Sequence, residues 1–428
     1  MGGSKATRTV IIGLDGVPYQ LMDNLSDRDV MPNFKDLKKE GVFKPMKSSL
    51  PEVSAVSWAS IITGKNPGEH GVYGFTDMFN KSYTVSFHSS SKIKAPTFWQ
   101  IDETKKYVVI NLPATYPAQK INGVLITGFV SLDLEKAVYP REYVEVLKET
   151  GYQVDIDVER AKSSNLILFK QLHETLEARM KVCMKLWDKI KWDLMMVVFT
   201  GTDRLEHFLW SAYEDEKHEQ HPHFLEYFRV VDNAIGEINS RIGEEDNLLI
   251  LSDHGMEGIK INVNLNALLA EKGYLKTEDN PKRGYNSIQR GTKAFALDPS
   301  RIYLNKEGRY PRGSIAESEE EEIIQELTEL FYSLEWHGKK VVKRVYRKEE
   351  IYSGPHIGRA PDLVLLPENG FNLKAGLFRK EVFEEEKELS GKHNPEAFIY
   401  VKGSKVDEVV PEAPSLEDVL PIIWKLEG

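Results

Sequence analysis

Aspartate, histidine and serine recur in this chain at the borders of apolar runs, where a rigid backbone can deliver a reactive side chain. Asp15 follows TVIIGL (residues 9–14), Asp203 and His207 follow LMMVVF (194–199), and Asp253 and His254 follow NLLIL (247–251). A spacing of four at a helix start points Asp203 and His207 from one face. That suits one carboxylate and one imidazole on a single cation, or an ordinary charge pair. Asp15 before Gly16 is a site residue or a turn residue. Asp253 and His254 need polar partners at a buried strand end, so packing does not explain them. Ser54 stands before an apolar stretch with helical character. Its hydroxyl either caps that helix or acts as a nucleophile where helix N–H groups favour an alkoxide and a bound phosphate. His393 lies in GKHNP ahead of the apolar run 397–401, as a turn residue or a ligand. His218, His221 and His223 fall in the Pro-broken segment HEQHPH and read as solvated loop residues.

The elements that must position these groups follow from periodicity. Run 9–14 is a continuous apolar, β-branched run, 194–199 is wholly apolar and 247–251 reads as another buried strand, the pattern of strands covered on both faces, and 107–111 and 124–127 read as further strands. In an open parallel sheet ligands collect beyond the carboxyl ends of strands, where Asp15, Asp203 and Asp253 stand. Helices are expected over 31–40, 55–63, 175–190, from about 203, and over 227–242. The stripe Leu176, Met180, Cys183, Trp187 and Ile190 makes Cys183 a core residue. From 257 to about 360 the texture turns charged and turn-rich, with an acidic helix over 318–334 capped by Ser318. This segment reads as an insertion or cap at the site edge of a single catalytic domain whose core spans about 8–256 and 361–428. The charge runs 319–322 and 384–388 read as solvated helix faces.

Composition narrows the partners. With 56 Lys and Arg against 66 Asp and Glu, the formal charge is −10 and no long basic run is present, which disfavours nucleic acid. Cys183 is the only cysteine, so an intrachain disulfide and a thiolate metal cluster are ruled out, and a reducing cytoplasm is expected. The apolar run before Asp15 is too short for a signal-peptide core or a membrane span, and Ala6 breaks the myristoylation pattern. No membrane partner is expected.

In order, the chain carries GLDG, the block S-x8-TG-x2-P-x2-HG from Ser54 to Gly71, D-x3-H, SDHGM and GKHNP. As a set these resemble the alkaline phosphatase superfamily, and within it the type I phosphodiesterase/nucleotide pyrophosphatase branch. The resemblance implies an α/β, three-layer fold with a mostly parallel central sheet flanked by helices, plus a smaller inserted cap. It also implies two divalent ions, one held by Asp15, Asp253 and His254 and touching Ser54, the other by Asp203, His207 and His393. Carboxylate and imidazole ligands suit Zn²⁺, with Mn²⁺ or another divalent ion compatible. Ser54 would be the nucleophile, and the substrate a small phosphoester or nucleotide-like molecule. The family's TFPNH-like block reads SAVSW here, so Ser57 and Trp58 occupy positions where substrate contacts are expected. Trp58 is either a stacking partner or a core residue. The alternatives are a cofactor-independent phosphomutase-like enzyme, disfavoured by the lack of a long domain between Ser54 and Asp203, and a non-catalytic nucleotide-binding relative. A sulfatase is disfavoured because SAVSW offers neither the Pro nor the Arg of that motif.

Overall fold

In the computed structural model, which describes residues 7–78, 81–87 and 89–428, the chain divides into two compact units. Met1–Lys65, Ser89–Met256 and His393–Gly428 make the first, and Asn66–His88 with Glu257–Lys392 the second. Residues 1–6, Ala6 among them, lie outside the described part.

The first unit is built on an eight-stranded sheet. Its strands are β1 (Thr9–Leu14), β2 (Val42–Lys47), β3 (Tyr107–Leu112), β4 (Gly123–Thr127), β5 (Val138–Tyr139), β6 (Leu194–Phe199), β7 (Asn247–Leu251) and β8 (Glu396–Lys402), in the spatial order β2-β8-β7-β1-β6-β3-β4-β5. The neighbours β7, β1, β6, β3 and β4 are parallel. At the margins β8 runs against β7, β2 against β8, and β5 against β4.

Successive strand residues point to opposite faces, and here both faces are covered. Val10, Ile12 and Leu14 pack with α1 (Tyr19–Asp27), α2 (Pro32–Leu37), α4 (Asn165–Lys189), α5 (Gly201–Glu214) and α6 (His221–Asn239). Ile11, Met196, Val198 and Leu249 pack on the other side with α3 (Ser54–Thr63) and α7 (Val419–Glu427). This double burial is why these strands read as unbroken apolar runs instead of alternating ones.

The second unit has its own core. Ala294–Leu297, Arg301–Leu304, Leu363–Pro367 and Val342–Arg347 form an antiparallel sheet in that order, and Glu320–Ser333 buries Ile323, Leu327 and Phe331. Among the described residues no helix is long and apolar enough to cross a membrane.

Several expectations are corrected. The segment HEQHPH is not a solvated loop throughout: His221 starts α6 and is buried, and its Nδ1 lies 2.7 Å from the Ala212 carbonyl oxygen. Pro222 sits in the first turn, where a missing N–H costs nothing, so it opens the helix. The helix expected over 175–190 begins at Asn165, because the stripe continues upstream through Leu168 and Leu172. Ser318 lies in a short 3-10 turn (Glu317–Glu319) and does not cap the acidic helix. The run 384–388 is not helical, and Glu386 there accepts a hydrogen bond from Asn262.

Cys183 is fully buried on α4 with its thiol 3.7 Å from Met195 Sδ, and burial pushes that thiol up to about 12. A disulfide reagent at pH 8 is therefore expected to modify Cys183 only as fast as the protein unfolds, in a time course with and without denaturant. Rapid modification of the native protein would contradict this packing.

Candidate active site

Strand direction gathers the polar groups at one edge of the sheet. Asp15 follows β1, Asp203 opens α5 after β6, and Asp253 lies beyond β7, so three adjacent parallel strands deliver three carboxylates side by side. Because β8 is antiparallel, its beginning lies at this same edge, and His393 precedes it in the short strand Gly391–Asn394. β2 runs against β8, so its end also lies there, and the loop after it leads to Ser54. Gly16 completes the junction after β1. It has φ +81°, and a Cβ there would lie 3.0 Å from Asp203 Cα, so only glycine lets the two loops approach this closely.

Ser54 is the first residue of α3 and makes no capping bond; Val53 holds the cap position. Its Oγ instead donates to Asp15 Oδ1 at 3.2 Å and lies 3.1 Å from His254 Nε2. His254 Nε2 is 3.6 Å from Asp15 Oδ1 and 3.3 Å from Asp253 Oδ2. Asp253 Oδ1 accepts the Gly16 N–H, while its buried Oδ2 has no hydrogen-bond partner. Nearby, Asp203 Oδ1 is 3.1 Å from His393 Nε2 and 3.3 Å from His207 Nε2. The two Nε2 atoms are 2.9 Å apart, and His393 Nδ1 lies 2.9 Å from the Glu52 carbonyl oxygen, which orients the ring.

These residues form two trios, Asp15–Asp253–His254 and Asp203–His207–His393, in each of which one ligand atom per residue lies within 4.8 Å of the others. Carboxylate and imidazole atoms converge in each, and in the first the unpartnered buried oxygen of Asp253 joins them; both donor sets fit a divalent cation. The electrostatics agree. Burial, then repulsion from Asp203, pushes Asp15 up to about 8. Burial and the Asp15 charge hold Asp253 well above the usual carboxylate range. Burial and the neighbouring His393 hold His254 well below the usual imidazole range. Burial would also raise Asp203, but His207 and His393 outweigh it and hold that carboxyl well below its ordinary value.

Ser57 and Trp58 turn inward. Ser57 Oγ lies 3.2 Å from Ser48 Oγ, and Ser48 in turn donates to the Asp253 carbonyl oxygen at 2.7 Å. Trp58 is fully buried, its indole N–H donates to Asp15 Oδ2 at 3.2 Å, and a Cβ at Gly13 would meet its ring at 2.4 Å. Trp58 thus orients Asp15 from below, and in this geometry its ring faces no solvent from which a base could stack.

Sequence reasoning missed two residues. Glu206 is buried, both carboxylate oxygens lack hydrogen-bond partners, and burial with repulsion from Asp203, Asp15 and Asp253 keeps it well above its usual range. An acid inside the stripe of Leu205, Leu209 and Ala212 was its signal. The other is Arg204, whose guanidinium contacts Asp203 and Asp155.

Comparison with known proteins follows the same lines. The fold is alkaline-phosphatase-like, a large, mostly parallel sheet flanked by helices. A family model of type I phosphodiesterase / nucleotide pyrophosphatase matches residues 9–396, and the chain belongs to that family; it is a phosphoester hydrolase. Phosphonoacetate hydrolase from Sinorhizobium meliloti 1021 has been solved with phosphonoformate, at 17% identity and a TM-score of 0.66, covering 99% of this chain and 96% of that one. Murine ectonucleotide pyrophosphatase / phosphodiesterase 5 has a TM-score of 0.56 at 13% identity, covering 98% of this chain and 95% of its own. An inactive variant of the murine protein has been solved in complex with AMP. A comparison with curated protein sequences found no match.

The raised Asp15 carboxyl sets a pH dependence. The unfolded chain ionises this group at its ordinary 3.8, whereas the folded chain holds the proton to about 8. Ionisation therefore favours unfolding across that window. The melting temperature of chelator-treated protein is expected to fall between pH 6.5 and 8, and a flat or rising profile would contradict the burial of Asp15.

Proposed function

We propose that the chain is a phosphodiesterase or nucleotide pyrophosphatase that depends on two divalent ions, most simply Zn²⁺, and works through a phospho-seryl intermediate at Ser54. The observation that carries this reading is the Ser54 hydroxyl, free of any capping bond and set between Asp15 and His254. Asp15, Asp253 and His254 would hold one ion and Asp203, His207 and His393 the other. Bound there, the ions would lower the pKa of the serine hydroxyl and offset charge on the phosphoryl oxygens.

The chain's own groups supply the rest. α3 begins at Ser54, so its first backbone N–H groups face a phosphoryl oxygen near the nucleophile. Ser54 Oγ forms a bond to phosphorus as the bond to the leaving oxygen breaks, and the serine proton is released. Water then attacks phosphorus, the serine–phosphorus bond breaks, and Ser54 regains a proton. Trp58 and the Gly16 N–H hold Asp15 and Asp253 in place while charge builds. Small phosphorus-containing anions occupy relatives of this fold, a phosphonate in one and AMP in another, which supports a small-molecule substrate.

Ser54→Ala is expected to retain both metal equivalents and lose turnover of an aryl phosphodiester by about three orders of magnitude or more, as removal of a nucleophile does. Assays with added Zn²⁺ or Mn²⁺ on an aryl diester, an aryl monoester and a dinucleotide measure this. Full activity of the variant would remove Ser54 from its role, and turnover of the monoester alone would overturn the diesterase reading.

A further inference from the structure

The two oxygens of Asp203 have different surroundings. Oδ1 faces His207 and His393, whereas Oδ2 accepts from Arg204 Nη1 at 3.3 Å. Arg204 is the next residue on α5, so helix geometry turns its side chain about 100° away from that of Asp203. Its return is imposed from elsewhere. Asp155 Oδ2 accepts from Arg204 Nε at 3.0 Å and from Nη2 at 2.6 Å, and the Phe129 ring lies 5.0 Å from the guanidinium carbon. A planar guanidinium fixed along one side has its remaining nitrogen fixed as well. Both partners are largely buried, with Arg204 19% and Asp155 10% exposed, so solvent screening is weak.

We propose that Asp155 and Arg204 form a positioning pair for Asp203: the guanidinium occupies Oδ2, leaving Oδ1 alone directed at the two histidines, and so sets cation affinity at the Asp203–His207–His393 trio. The pair touches no reacting atom. Without it Asp203 can rotate, or offer both oxygens, and a site built for one carboxylate oxygen and two imidazoles is lost. The Asp15–Asp253–His254 trio receives no hydrogen bond from Arg204 among those described, only the attraction of its charge for Asp15, so its affinity changes much less. This inference rests on the metal reading proposed above.

The test is a calorimetric titration of the chelator-treated full-length protein with zinc alone, with melting curves as a check on folding. Asp203→Asn is the reference and is expected to lose one of two equivalents. Arg204→Gln and Asp155→Asn are each expected to weaken that same equivalent about 10- to 100-fold, the usual effect of removing a residue that orients a ligand, and to leave the other within about threefold. In the double variant the losses are not additive, because Asp155 acts only through Arg204. If Arg204→Gln fails to fold, Asp155→Asn keeps the guanidinium and carries the test. Wild-type affinities at both sites in Asp155→Asn and Arg204→Gln, alongside loss in Asp203→Asn, overturn the positioning pair while the metal reading stands. Failure of the unsubstituted protein to bind zinc overturns both.

Discussion

Repulsion among buried carboxyl groups is the constraint on which the rest of this structure depends. Asp15, Asp203, Asp253 and Glu206 lie at one edge of a sheet with apolar layers on both faces. Burying an ionised carboxylate without compensation costs several kcal/mol. The chain meets part of this cost with Arg204 on Asp203, the Trp58 indole and Ser54 hydroxyl on Asp15, and the Gly16 amide on Asp253. What remains uncompensated is one oxygen of Asp253 and both oxygens of Glu206, beside a neutral, buried His254. A site left in this condition favours cations, and Ser54 joins it through Asp15 and His254.

The sheet provides this edge by its topology. Parallel β1, β6 and β7 end together, and antiparallel β8 begins where they end. Residues 341 positions apart, Glu52 and His393, thereby meet, because the helical crossovers return each parallel strand in the same direction. The hydroxyl network from Ser48 to Ser57 and the bond from Asn394 to the Met256 carbonyl oxygen tie the segments after β2, after β7 and before β8 to one another. The edge is held by hydrogen bonds as well as by packing.

Much of the fold is legible in the sequence where one effect dominates. β1, β6 and β7 run over the residues their apolar runs delimit, since no surface-facing residue interrupts them. Asp15, Asp203 and Asp253 are visible as polar residues ending those runs. Less legible are features decided by long-range contact. Nothing local to His393 states that β8 is antiparallel, and so nothing local says that the residues before it reach this edge. Trp58 reads as core or stacking residue until its indole is found under Asp15. Nothing local marks Arg204 as a residue that Asp155 turns back, and Glu206 hides within an apolar stripe. His221 was misread because a proline in the first turn of a helix looks in sequence like a break.

The central claim is that the two trios each hold a cation beside Ser54. The direct measurement is an anomalous-scattering map of zinc-loaded crystals collected at the zinc edge. Two peaks are predicted, one among Asp15, Asp253 and His254 and the other among Asp203, His207 and His393, both at the Ser54 end of α3. An empty map at these positions, or a single peak away from Ser54, would contradict the account.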